Sequence, residues 1–221
     1  MDWQALWLSV RLGLFTVVIL VPIAVALSRW IAITPKRGRG LVEAAVTLPL
    51  VLPPTVVGFY LLVSLGAGSW IGETWRALFG GGLAFSFEGL LVASVIVNLP
   101  FAVQPSQRAF EAIAPELREA AASCGMSWWR AFARIELPLA WPGILTGAVL
   151  TFAHTLGEFG VVLMVGGNIP GETRTIAIAI YDRVQAFDDG AAARMSAILL
   201  TISLLTIAVT FALSRRIGRR S

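Results

Sequence analysis

Apolar residues dominate five stretches of this 221-residue chain, and polar or basic residues punctuate them. The stretches run from about Leu6 to Leu27, Leu41 to Leu65, Gly89 to Phe110, Pro142 to Val165 and Met195 to Leu213. A helix rises about 1.5 Å per residue, so roughly 20 residues cross the hydrocarbon core of a bilayer. The pattern therefore predicts an all-α integral membrane protein with five transmembrane helices, spanning residues 6–213. The second stretch is broken by Pro49, Pro53 and Pro54, and the third contains Pro100. Between the third and fourth lies a long polar loop, 115–141. Beyond the fourth, Ile176, Ile180, Val184 and Phe187 recur on one helical face, which predicts an interfacial or re-entrant helix.

Composition agrees with this pattern. The chain is 57% hydrophobic and only 14% charged, with a mean hydropathy of +0.80, too little charge to clothe a soluble domain. A single cysteine, Cys124, excludes an internal disulfide framework, and a single histidine, His154, excludes a histidine-rich metal site. No metal or cofactor is expected on the chain, and no cleavable leader, because the first apolar run is too long and has no basic region before it.

The net charge of +4 reflects topology rather than nucleic-acid binding, because the basic residues sit between spans. One set of connections holds Arg29, Lys36, Arg37, Arg39, Arg108, Arg118, Arg130, Arg134, Arg215, Arg216, Arg219 and Arg220. The opposite set holds only Arg76, Arg174, Arg183 and Arg194, diluted by Glu73, Glu172, Asp182, Asp188 and Asp189. Positive charge favours the cytoplasm, so the amino terminus is expected outside and the carboxyl terminus inside. Trp3, Trp7 and Trp30 suit the membrane interfaces. Arg11 is the one basic residue well inside a span, able to snorkel outward or to pair with a carboxylate.

The polar loop is then cytoplasmic, and its residues parse as two short helices. Pro115 suits a first helical position, Glu116 and Glu119 suit a first turn, and Gly125 suits a left-handed terminus. Ser127 is placed to cap a second helix from Trp128 to about Ile135, which Leu137-Pro138 would close. Trp128, Phe132 and Ile135 share a face of it. Two readings stand side by side: an amphipathic pair resting on the inner leaflet, its lipid contact made by Trp128 and Trp129, or a docking element whose small residues (Ala120, Ala121, Ala122, Ser123) admit a cytosolic partner.

Glu119-Ala120-Ala121, three residues, Gly125, nine residues, Ile135, one residue and Leu137-Pro138 resembles the EAA motif of ABC-importer permeases, with every fixed position filled. The resemblance implies the type I importer transmembrane domain, with this loop as the coupling helix that docks on an ATPase subunit. It also implies a homodimer, two ATPase subunits that use ATP, and an extracytoplasmic binding protein. Consistently, the chain has one lysine, Lys36, and no GxxxxGK[ST] phosphate loop, so it is not its own ATPase by that route. Leu48 to Gly58 (LPLVLPPTVVG), Gly157-Glu158-Phe159-Gly160 and Asn168 to Thr175 (NIPGETRT) resemble the molybdate permease subgroup and, more loosely, the sulfate permeases. The implied substrate is molybdate or tungstate, with sulfate or thiosulfate as the alternative.

Those stretches supply the pathway candidates Pro53, Pro54, Thr55, Glu158 and Phe159, and the outer-loop candidates Asn168, Glu172 and Arg174. Prolines at 49, 53 and 54 remove backbone donors, which is tolerated in a membrane only where the chain is packed in protein or lines a cavity; a simple kink and a pore-lining segment both satisfy this. Glu158 would repel an anion, so a structural or gating role is expected of it, with His154 one turn earlier within hydrogen-bonding reach. A secondary transporter or channel, needing no ATPase, would show buried charges along several spans; only Arg11, His154 and Glu158 are clearly intramembrane. No paired-carboxylate, Ser/His or metal-ligand cluster suggests an intramembrane enzyme, and no catalytic residue is assigned.

Overall fold

The computed structural model describes the backbone of residues 1–217, with side chains except at 36, 37 and 209–217. Lys36, Arg37, Arg215 and Arg216 therefore have no described side chain, and Arg219 and Arg220 lie outside the described residues. The helices are α1 (Trp3–Ile33), α2 (Lys36–Val51), α3 (Pro54–Leu65), α4 (Trp70–Phe79), α5 (Phe87–Glu111) and α6 (Pro115–Ser123). They continue with α7 (Trp128–Ala131), a π-helical turn (Phe132–Glu136), α8 (Leu137–Gly157), α9 (Gly160–Gly166), α10 (Ile176–Gln185) and α11 (Asp189–Ile217).

α1, α5 and α8 pack on one another as the centre of the bundle, with α11 against α8, α2 against α5 and α3 against α9. Lipid is as apolar as leucine, so such a bundle is held by close approach and internal hydrogen bonds rather than by apolar burial alone. Accordingly, Val18, Leu14, Leu204 and Leu205 face outward, while Ser9, Thr16, Ser28, Ser94, Asn98, Thr151 and Thr155 are buried. Thr16 Oγ1 donates to Ser94 Oγ at 2.9 Å, and Asn98 Nδ2 reaches Ser94 O at 2.8 Å and Thr155 Oγ1 at 3.1 Å, which links all three central helices. Ser28 Oγ donates to Val103 O at 2.9 Å, a second stitch between α1 and α5. Gly143 and Gly147 let α8 lie on α5: a Cβ at Gly147 would stand 2.7 Å from Ala102 O, and one at Gly143 2.5 Å from Pro105 O.

The second predicted span is not one helix. α2 and α3 meet at a 111° bend. Leu52 N–H still reaches Leu48 O at 3.2 Å, but Pro53 and Pro54 have no N–H to continue the ladder. Each proline also drives its predecessor out of the helical region: Leu52 has ψ 142° and Pro53 has ψ 138°. Pro54 then opens α3 at its first position, where a missing donor costs nothing. Pro49, by contrast, stays inside α2.

The fourth predicted span also needs correction. Its helix begins much earlier, with α7, the π turn and α8 running without a break from Trp128 to Gly157, and it ends at Glu158, so residues 158–165 are not part of it. Leu137-Pro138 thus does not close the Trp128 helix. The ladder widens instead, Leu137 N–H bonding back to Phe132 O, and this π turn carries the helix past the donor that Pro138 lacks. The outer face forecast on α10 is also only half right. Ile176, Ile178 and Ala179 are buried and Ile180 is half-buried, but Val184 is 49% exposed and Phe187, at φ 56°, is 92% exposed. Helix α10 ends at Gln185, so the face does not extend to Phe187.

Among the described residues Arg11 meets no carboxylate; its guanidinium lies over the Phe87 ring at 4.3 Å and near Phe15 at 5.7 Å. One member of each charge set marks an end of α1. Arg174 meets Asp2 at the start of α1 (4.0 Å), and Arg29 meets Glu136 near the other end of that 31-residue helix. Gly147→Val should force α8 off α5 and cost about 1–3 kcal/mol, read as a lower unfolding temperature of the detergent-solubilised protein; an unchanged temperature would refute this packing.

Candidate pathway and coupling sites

Two broken helices create the first site. The Leu52-Pro53-Pro54 break faces the break between α8 and α9 at Glu158-Phe159, and the halves beyond them, α3 and α9, pack together. Contact is close: a Cβ at Gly160 would lie 2.7 Å from Pro54 Cβ, and one at Gly58 2.7 Å from Met164 Cβ. The two stretches, distant in the sequence, are therefore one structural feature. Beside it lies a cavity of about 150 Å³ whose lining includes Pro49, Leu52, Pro54, Phe101, His154 and Glu158.

Glu158 repairs the second break. Its backbone is extended (ψ 124°), and its Oε1 accepts the Val161 N–H at 2.9 Å, satisfying a donor at the start of α9. His154 does not hydrogen-bond to it; Nε2 and Oε2 are 3.8 Å apart. The imidazole instead stacks on Phe101, centroids 4.1 Å apart, with Nδ1 3.2 Å from Asn98 Oδ1. Pro53, Pro54 and Thr55 are exposed, and Thr55 does not line the cavity. Phe159 packs outward on Tyr181 of α10, ring centroids 4.9 Å apart. Asn98 and Phe101 went unnoticed in the sequence; an asparagine within the apolar run VIVNLPF was the available signal.

The outer-loop candidates separate. Arg174 Nε donates to Asn168 Oδ1 at 2.6 Å, and Asn168 Nδ2 donates to both carboxylate oxygens of Asp182. With Asp2 close by, this knot ties the outer loop to the amino terminus and to α10. The Glu172 residue stands exposed outside it.

The second site is the polar loop. α6 starts at Pro115 and ends in a left-handed Gly125 (φ 70°), with Met126 N–H on Ala121 O at 3.0 Å and Gly125 N–H on Ala122 O at 2.9 Å. Glu119, Ala120 and Gly125 are exposed on one small-residue surface, whereas Ala121 is buried beneath it. Ile135 and Leu137 are half-buried in the joint with the bundle, and Pro138 is exposed. Trp128 and Trp129 are 67% and 60% exposed, flanking an apolar groove against α1.

The family model for binding-protein-dependent transport system inner membrane components matches residues 12–219. The chain belongs to this family. Among its relatives, the molybdenum transport system permease protein ModB of Azotobacter vinelandii is 46% identical over 215 residues, 97% of this chain and 95% of that one. The protein of the same name from Escherichia coli K12 is 37% identical over 97% of this chain and 94% of its own. The Escherichia coli sulfate transport system permease protein CysT is 35% identical over 83% of this chain and 66% of its own. A bacterial ABC transporter involved in the import of the acidic polysaccharide alginate shares the fold at a TM-score of 0.78 and 20% identity, over 96% of this chain and 78% of that one. The chain is thus a multi-pass membrane permease of the ABC-importer fold.

In this permease Glu158 has a helix-capping job that a neutral acceptor can also do. Glu158→Gln should leave the unfolding temperature near that of the wild type, whereas Glu158→Ala should cost about 1 kcal/mol. Equal losses in the two variants would show that the cap is irrelevant.

Proposed function

We propose that this permease moves molybdate, and its congener tungstate, inward across the cytoplasmic membrane as the membrane subunit of an ATP-driven importer. The observation that carries the substrate is the near full-length similarity to molybdenum permeases, against a shorter match to the sulfate permease. The orientation follows the basic residues: Arg29, Arg118, Arg130 and Arg134 lie on the cytoplasmic side and Arg174 and Arg183 outside, with the amino terminus out and the carboxyl terminus in.

Two copies pair around a central pathway. The exposed Pro53, Pro54 and Thr55 face it, beside the cavity that Glu158 helps to line, and Phe159 braces the break from its outer side. A carboxylate there attracts no dianion, so selection rests mainly with the extracytoplasmic oxyanion-binding protein, which meets the outer end around Asn168, Glu172 and Arg174. Two ATPase subunits engage the exposed surface of α6 through Glu119, Ala120 and Gly125. Ala121, Ile135, Leu137 and Pro138 join that surface to the bundle. ATP-driven closure draws the two α6 helices together and opens the pathway outward; release of ADP and phosphate returns it inward. The absence of a phosphate loop from the chain supports a separate motor.

In the reconstituted complex, binding protein loaded with molybdate or tungstate should stimulate ATP hydrolysis more than binding protein loaded with sulfate; preferential stimulation by sulfate reverses the substrate assignment. Gly125→Val places a β-branched residue at φ 70°, straining the end of α6 by about 1–2 kcal/mol. Inserted protein with hydrolysis uncoupled from molybdate uptake is the expected result, and wild-type coupling would remove α6 from this role.

A further inference from the structure

The π turn delivers one residue that neither the EAA pattern nor the pathway uses. Glu136 occupies the variable position between Ile135 and Leu137, is 2% exposed, and is held by two arginines from different helices. Arg29 of α1 binds it in a fork, Nε to Oε2 at 2.7 Å and Nη2 to Oε1 at 3.0 Å. That guanidinium also lies 5.3 Å from the Phe132 ring and 5.8 Å from Trp128. Arg118 of α6 approaches the other way. Its Nη2 donates to Phe110 O at 3.0 Å, in the last turn of α5, and its Nη1 to Ile113 O at 3.4 Å, just beyond that helix. Its Nε is buried without a hydrogen-bond partner, 3.6 Å from Glu136 Oε1.

The two contacts differ in kind. Arg29–Glu136 is a short bidentate pair that locks α1 to the root of α8. Arg118–Glu136 is an open one: a few tenths of an ångström would turn 3.6 Å into a hydrogen bond and satisfy the idle donor. A buried donor without a partner is costly, and a buried carboxylate tolerates little displacement of its cations, so the separation is sensitive to where α6 sits.

We infer that Glu136 is a positioning residue for energy coupling, which passes movement of α6 through Arg118 to α1 and α8 by closing and opening the Arg118–Glu136 contact. This rests on the reading of α6 as the ATPase-docking helix. Docking remains the work of the exposed α6 surface, and Glu136, 2% exposed, is not part of it. The π turn sets this position, since an uninterrupted α-helix would advance each residue by a different angle and turn Glu136 away from Arg29 and Arg118.

The test is a double-mutant cycle in the reconstituted complex of permease, ATPase and molybdate-loaded binding protein. Molybdate transported per ATP hydrolysed is the readout, with unfolding temperature measured alongside. Wild-type complex that assembles and couples secures the underlying reading; wild type that binds no ATPase subunit refutes that reading and the inference with it. Given a coupled wild type, Glu136→Gln and Arg118→Gln should each lower the transport-to-hydrolysis ratio about fivefold or more, and the double variant should lose little beyond either one. Arg118→Gln leaves the Arg29 fork in place, so it answers the question if Glu136→Gln assembles poorly. Ratios at the wild-type value, additive losses, or failure of both single variants to assemble would overturn the inference in favour of a purely structural ion pair.

Discussion

Lipid supplies no hydrogen bonds, so each interruption of a membrane helix has to be repaired from within the protein, and the architecture of this permease follows from those repairs. At Pro53-Pro54 the repair is to begin a new helix, where missing donors carry no penalty. Beyond α8 it is the Glu158 carboxylate, which takes the orphaned Val161 amide. Before Pro138 it is the π turn, which keeps the helix going by shifting its ladder. The first two repairs lie against each other and shape the cavity; the third sets the angle at which the cytoplasmic loop joins the bundle.

The same constraint accounts for the centre of the fold. Thr16, Ser94, Asn98 and Thr155 satisfy one another between α1, α5 and α8, and Gly143 and Gly147 bring α8 close enough to α5 for this to happen. The bundle therefore has a hydrogen-bonded polar seam and apolar outer faces. α1 spans both ends, from the Asp2–Arg174 contact to the Arg29–Glu136 fork.

Much of this was legible in the linear chain. The apolar runs showed an all-helical membrane chain, though not the limits of its second and fourth helices, and Gly125 suits a left-handed terminus in the sequence and has a φ of 70° in the structure. These features are local, or depend on composition, and tertiary packing has little power to override them. Leu137-Pro138 was misleading because proline usually ends a helix, and nothing in the local sequence announces a π turn that evades the rule. Val184 and Phe187 misled for a related reason: periodicity shows which residues share a face, but not where the neighbouring helices stop.

The sequence by itself thus determined the membrane class, the helix count to within the broken spans, and the small-residue surface of α6. These arise from transfer energies and backbone preferences that act within a few residues. Only the tertiary structure decided that the Pro53-Pro54 and Glu158-Phe159 breaks oppose each other, about a hundred positions apart in the chain. It alone decided too that Glu136, an ordinary acidic residue in an ordinary-looking loop, is buried between Arg29 and Arg118. Partners so far apart along the chain leave no periodic trace; a buried charge becomes evident only when three helices close around it.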